Sequence, residues 1–589
     1  MDKPIVKSGF IEWRNKYISD KQLILILSII VGLAVGLAAV TIKNVVHLIE
    51  SRLSDFASVK SGFLYIVFPS VGIFLTIIFV KYINRNPVRH GIPGVLFAIS
   101  KNWGKIKSHN LYSSIISSAL TVGFGGSVGL EGPTVATGAA IGSKIGRMFN
   151  LNYKQVTLLL GCACSGAMAA IFKAPIAAIV FALEVIMLDL TMSAIVPLLL
   201  SSVTAVLTSY LLLGQNYLYN FEIHDEFYIN QVGYYLLFGV FTGLVAFYFT
   251  KVYLFVTELF DNIPNSFYRL LIGGSLLGLL VFMVPSLYGE GYEEINSSLK
   301  GEYSFLFDNT RYEFLRGNIS ITIVLFLVVL LLKVVATSLT FGSGGVGGIF
   351  APSLFSGAIS GLLFTMIIKQ FGIELSASNF ALAGMAGMIA AVIHAPLTSI
   401  FLIAEITKGY ELFVPLMIVS TVSYAITKVF TTNSVYTIQL AKRGELMTHH
   451  KDKAVLMLMN VKELIEKDFH VIRPYEKMGD LIEVIKFAHR NIFPVVEDDG
   501  TFRGMIKLND IRHVMFNNEL YNEVYIRDLM FLPEDVVFTT DSVEEVAMKF
   551  QESGSYNIVV IDHGKYLGFI SRAKLFSAYR DLLKHFSEH

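Results

Sequence analysis

Long apolar windows set the plan of this chain. Runs at 23 to 42 (LILILSIIVGLAVGLAAVTI), 63 to 80, 194 to 213, 233 to 249, 269 to 284, 321 to 336 and 412 to 427 each approach the roughly 20 residues that cross a hydrocarbon core as a helix. Elsewhere the apolar text is interrupted by Gly, Pro and charge, notably around 126 to 139, 165 to 184, 345 to 358 and 386 to 405. That predicts broken helices, and non-helical backbone at membrane depth survives only where it is buried in protein or lines a cavity. After 445 the pattern changes to charged segments with short β-branched runs, which predicts a soluble α/β unit.

Composition agrees with a polytopic α-helical membrane protein: 589 residues, 54% hydrophobic and 16% charged, with a mean hydropathy of +0.60. A net charge of +1 excludes a nucleic-acid partner, which would demand a basic excess or stripe. The leader carries Lys3, Lys7, Arg14, Lys16 and Lys21 with few acids, no cleavable signal is read ahead of the first window, and the positive-inside rule places the N-terminus in the cytosol. The polar C-terminal third is placed there too, with the spans in the plasma (inner) membrane. Cys162 and Cys164 are two apart in GCACSGAMAA, so they cannot face each other on a helix to form a disulfide. Small-residue helix packing explains them better than a metal site.

Two stretches of the first half recur about 220 residues later, the kind of internal repeat to be sought before anything else. GSVGLEGPTVATGA (126 to 139) falls on GVGGIFAPSLFSGA (345 to 358), matching Gly129 with Gly348 and Pro133 with Pro352. SGAMAAIFKAPIAAIVFALE (165 to 184) falls on AGMIAAVIHAPLTSIFLIAE (386 to 405), matching Pro175 with Pro396 and Glu184 with Glu405. Duplicated halves in transporters usually have inverted topology, with the substrate site at their interface.

In GLEGP (129 to 133) and GIFAP (348 to 352) a proline stands where a helix begins, as its fixed φ and missing N–H favour. The unpaired amides of a helix start carry the positive end of the macrodipole, so they favour an anion without a full charge that would trap it. HGIP at 90 to 93 is a third such turn. Glu131 lies among these amides. Its carboxylate can occupy the site when ionised and vacate it when protonated, acting as a gate and a proton carrier. A plain helix-capping acid would be tolerated in both halves, yet the repeat partner of Glu131 is Phe350.

These segments resemble the CLC family of chloride channels, voltage-gated members included, and chloride/proton antiporters. The resemblance rests on RHGIP (89 to 93), GLEGP, GIFAP, PLTSIFLIAEIT (396 to 407) and a tyrosine in NSVYTIQLAKRGE, in family order over residues 23 to 445. It implies the CLC fold of two inverted repeats, a homodimer with one pore per subunit, and transport of chloride or a similar monovalent anion. Glu131 becomes the gating glutamate. His90, Gly91, Ile92, Gly129, Gly132, Ile349 and Phe350 line the anion site, and Tyr436 offers its hydroxyl to the ion. Two positions depart from the family. His90 stands where chloride-selective relatives carry serine, which leaves anion selectivity open. Val185 stands at the inner proton-transfer glutamate of well-coupled exchangers, so passive conduction and proton-coupled exchange both stay open. Glu184, one residue earlier, points about 100° away on a helix, and its repeat mate Glu405 suggests a shared structural role.

The C-terminal third is doubled as well. IFPVVEDDGTFRGMI (492 to 506) aligns with YNIVVIDHGKYLGFI (556 to 570) at a constant offset of 64, each reading as strand, turn, strand and helix after an amphipathic helix. This resembles a tandem cystathionine-beta-synthase (CBS) pair that modulates the pore. Such pairs bind adenine nucleotides through a Ser/Thr and an Asp three residues on. Here Lys507 and Asp510 stand in the first copy and Ser571 and Lys574 in the second, so neither copy is complete. No cofactor is required by the membrane part, and no nucleophile and base pair with enzyme spacing is found.

The expected domains are an N-terminal cytosolic segment (1 to 21), repeat halves at 22 to 225 and 226 to 445, a linker (446 to 455), and CBS copies at 456 to 520 and 521 to 589. A CBS-regulated divalent cation transporter is the competing reading. Cation sites need several inward acids or carbonyl rings, whereas Glu131, Glu184, Asp189 and Glu405 are scattered.

Overall fold

The structure is a computed structural model that describes residues 17–60, 64–86, 91–186, 192–214, 227–307, 310, 313–407, 409–442, 456 and 459–587. The leader through residue 16, His90, Asp189 and the expected linker lie outside the described residues. The chain divides into two compact units, Met1–Leu446 and Met447–His589.

The first unit is helical, and nine of its described helices are long and apolar enough to cross a membrane. Seven coincide with the sequence windows. The other two, Tyr153–Phe172 and Phe350–Lys369, fall outside those windows because Gly, Ala and Ser dilute their hydropathy. Small residues suit them, since both are almost wholly enclosed by protein. A Cβ added at Gly142 would fall 2.6 Å from the Leu159 carbonyl oxygen, so the helices Glu131–Met148 and Tyr153–Phe172 meet backbone to backbone.

The repeat appears as a local two-fold relation, seen in hydrogen bonds exchanged between equivalent residues. Gly129 and Gly348 form an antiparallel bridge, each donating to the other at 2.8 and 2.7 Å. Ser127 N donates to Thr340 Oγ1 at 3.2 Å, and Val346 N donates to Thr121 Oγ1 at 3.0 Å. Reciprocal contacts of this kind are the mark of an isologous interface. Because the bridging segments run antiparallel, the two halves enter it in opposite senses, which the sequence alone could not establish.

The broken helices are also paired. Tyr153–Phe172 ends on Lys173 at φ +57°, and Ala377–Ile393 ends on His394 at φ +62°, both left-handed caps. Pro175 and Pro396 then open new helices. The expectation for Pro133 and Pro352 needs a small correction. Their helices start at Glu131 and Phe350, so each proline is the third residue, still within the first turn, where a missing N–H leaves no helical bond unmade.

In the second unit, Met478–Phe487 precedes the antiparallel strands Ile492–Val496 and Phe502–Lys507, and Val543–Ser553 precedes Asn557–Asp562 and Lys565–Ser571. Val536–Phe538 pairs in parallel with Asn557–Asp562. The copies meet through another reciprocal pair, Phe502 N to Gly564 O and Tyr566 N to Gly500 O, both at 3.0 Å.

Candidate functional site

Three helix starts meet where the repeats touch. A Cβ on Gly91 would lie 3.2 Å from Gly132 Cα, and one on Gly132 would lie 3.2 Å from Gly348 Cα. Gly91, at φ +45°, opens the helix Gly91–Lys101, so the backbones of the first, second and third motifs, RHGIP, GLEGP and GIFAP, stack with no side chain between them. Leu130 and Ile349 are the residues that cap the helices beginning at Glu131 and Phe350. Ile92, Ile349 and Phe350 are buried, and the Phe350 ring lies 5.2 Å from that of Phe172.

Glu131 is completely buried in this junction. Its carboxylate folds back over Gly129, where any Cβ would strike Oε2. Oε1 accepts a hydrogen bond from the Tyr292 hydroxyl at 2.5 Å. Tyr292 opens a short helix, Tyr292–Leu299, after Gly291 at φ +87°. The loop before it is tied down by Gly289 N to Gly125 O at 3.2 Å, and it places Glu290 Oε1 3.0 Å from the Leu130 amide.

Tyr436 lies on Val435–Lys442, which packs on Gly91–Lys101 and Ala377–Ile393. Its hydroxyl is buried with no hydrogen-bond partner among the described residues, and it is within electrostatic reach of Glu131. Of the residues singled out from sequence, Gly91, Gly129, Gly132 and Glu131 are brought together directly, and Ile349 and Phe350 follow in the chain from the Gly348 bridge. His90 is outside the described residues.

Val185 is half-buried in a π-helical turn, Ala182–Ile186, against the membrane core. Beside it, Glu184 accepts from the amides of Leu397 and Thr398 at 3.2 and 2.8 Å, and Glu405 accepts from those of Ile176 and Ala177 at 3.0 and 2.8 Å. Each acid thus caps the helix start opened by the other half's proline. This is the shared role that their repeat positions suggested.

Sequence reasoning missed Tyr292, Glu290, Lys43 and Lys333. Lys333 is fully buried, donates to the Gly289 carbonyl at 3.2 Å and lies 4.5 Å from the Phe355 ring centre. Lys43 donates to the Ile171 carbonyl at 2.8 Å. Ionisable residues inside apolar windows are functional candidates by default, so Lys333 in the 321 to 336 window was readable. Tyr292 and Glu290 sit in the polar text GEGYEE and carried no such signal.

In the second unit Ser571 borders a cleft of about 470 Å³ with Glu466, Asp468, Arg490 and Lys574. Its hydroxyl donates to Glu466 and accepts from the Lys574 amide. Lys507 and Asp510 do not line this cleft, and the Lys507 ammonium rests 4.8 Å from the Phe531 ring centre. Lys467, Arg490 and Lys574 bring positive charge to this cleft and Glu466 and Asp468 negative charge, with the Ser571 hydroxyl engaged by Glu466, while Lys507 and Asp510 belong to the other CBS copy.

Comparison with known proteins completes the picture. Residues 71–428 match the family described as voltage gated chloride channel. The chain belongs to the CLC family. Residues 461–517 and 523–581 each match the CBS domain. The H(+)/Cl(-) exchange transporter ClcA of Vibrio cholerae serotype O1 (strain M66-2) is 29% identical over 429 residues, covering 69% of this chain and 87% of the relative. A slow cyanobacterial Cl-/H+ antiporter shares the fold with a TM-score of 0.61 at 22% identity, over 71% of this chain and 97% of the other. A eukaryotic CLC transporter does so with a TM-score of 0.60 at 18% identity, over 94% and 98%. This CLC chain is therefore a multi-pass membrane protein with the CLC fold and a tandem CBS pair, and the divalent cation alternative is set aside.

Proposed function

We propose that this CLC protein transports chloride, or a similar monovalent anion, and that the Glu131 carboxylate is its gate. The observation that carries the reading is the burial of Glu131 at the meeting of three helix starts, held by one hydroxyl from Tyr292. Helix-start amides attract an anion. An ionised Glu131 competes with the transported ion for them, and a protonated Glu131 does not. The backbone at Gly91, Ile92, Gly129, Gly132, Ile349 and Phe350 forms the ion's surroundings, and the buried Tyr436 hydroxyl, which has no hydrogen-bond partner among the described residues, supplies a donor to it.

The mode is exchange with protons, which Glu131 carries as it enters and leaves the site. The name of the Vibrio cholerae relative supports this. Passive conduction is the second reading, favoured by Val185, which puts an apolar side chain at the expected inner proton position. Purified protein in liposomes decides between them: an outward chloride gradient should drive protons uphill into the vesicle. Chloride flux with no proton movement would establish the passive mode.

The protein is further read as a homodimer in the plasma (inner) membrane, with the basic leader and the CBS pair in the cytosol. The CBS pair modulates the pore through its own packing. An adenine nucleotide is the ligand that such pairs suggest; the Ser571 cleft offers Lys467, Arg490 and Lys574 to a phosphate but also holds Glu466 and Asp468.

A further inference from the structure

The loop that supplies Tyr292 to Glu131 supplies a second carboxylate to the same helix start. Glu290 Oε1 accepts from the amide of Leu130, the residue before the gate. Tyr292, two residues on, donates to Glu131 Oε1. The loop is rigid for identifiable reasons: Gly289 N donates to Gly125 O, the Gly289 carbonyl accepts from buried Lys333, and Gly291 takes a left-handed conformation. A Cβ on Gly125 would run into the Tyr288 ring, so the contact between loop and gate turn is close.

We propose that Glu290 is a positioning residue for the gate, whose charge sets the pH range over which Glu131 opens. This rests on the reading of Glu131 as the gate. Two carboxylates in a water-poor site oppose each other's ionisation. The groups facing them come from three other elements. Lys43 on the first helix reaches both acids electrostatically, Glu50 on that helix and Lys333 on Ile319–Gly342 reach Glu290, and the Tyr436 hydroxyl faces Glu131. Burial first, then Glu131 and Glu50, oppose the charged form of Glu290, while the Leu130 amide and Lys43 favour it; Lys43 favours the charged form of Glu131 as well. Glu290→Gln removes the carboxyl whose ionisation competes with that of Glu131.

Without the Glu290 charge, Glu131 holds its proton less tightly, so the gate shuts at a lower pH. Chloride efflux from liposomes containing the full-length protein is measured between about pH 4 and pH 8, which spans the ordinary and perturbed carboxylate range, for wild type, Glu290→Gln and Glu131→Gln. Glutamine keeps an acceptor for the Leu130 amide, so folding is preserved. The half-maximal pH of Glu290→Gln should fall by about one unit or more. An unshifted curve overturns the inference, provided that Glu131→Gln is flat. If Glu131→Gln itself keeps the wild-type pH dependence, the gate reading fails instead. Should Glu290→Gln not reach the membrane, Glu290→Asp decides. It keeps the charge but withdraws it by one methylene, so a smaller shift in the same direction supports the role and superposition on wild type refutes it.

Discussion

The hydroxyl of Tyr292 donates to Oε1 of Glu131 at 2.5 Å across 161 residues of sequence. It joins the second half's short helix to the carboxylate proposed as the gate in the first half. Donation to a carboxylate favours its charged form, and a hydrogen bond to a charged group contributes about 1.5–3 kcal/mol. Tyr292→Phe removes that preference for the ionised gate. Protonation, and with it opening, should then persist to higher pH, moving the flux profile upward by about one to two units. A profile that stays in place would show that the bond does not hold the closed gate.

The two bridging glycines should respond differently to alanine. At Gly129 the new methyl meets the free end of Glu131 as well as Ala351 Cβ. The carboxylate can swing aside but the Ala351 Cβ, 2.9 Å away, cannot, so Gly129→Ala is expected to lose stability and also to conduct with weakened pH dependence. At Gly348 the methyl would fall 2.9 Å from the Gly132 backbone nitrogen, which cannot give way. Overpacking of that kind costs about 1–3 kcal/mol, and Gly348→Ala should show a lower melting temperature. Detergent melting curves and efflux assays on the two variants check the contrast.

Glu184 and Glu405 cap each other's helix starts, so Glu184→Gln and Glu405→Gln should lower stability to a similar extent. The expected loss is about 0.5–2 kcal/mol each, the range for helix caps. Neither should alter the ratio of protons to chloride. A changed ratio in Glu184→Gln alone would mean that it conducts protons in place of the acid missing at Val185.

In the CBS pair, Glu466 already engages Ser571 and Arg490. Millimolar ATP or AMP is therefore expected to leave both the melting temperature and chloride efflux unchanged. A nucleotide-dependent rise in melting temperature, lost in Ser571→Ala, would reverse this.

Much of this was legible in the sequence for definite reasons. Glycine and proline fix backbone geometry, so GLEGP and GIFAP marked the helix starts and their pairing. The Phe350 partner of Glu131 isolated the one acid that differs between the halves. Tyr292 and Glu290 were not legible, because their link to Glu131 is made by tertiary contact and their local text is ordinary polar loop. Lys507 and Asp510 stand in one CBS copy and Ser571 in the other; Ser571 borders a cleft, and spacing could not reveal that Glu466 would claim its hydroxyl.

The most direct test of the account is chloride efflux from liposomes containing wild type or Glu131→Gln, followed across pH. Glutamine mimics the protonated gate, so the variant should conduct at a rate that no longer depends on pH, and it should move no protons. A Glu131→Gln protein that keeps both the wild-type rate and the wild-type pH profile would contradict the assignment of Glu131 as the gate.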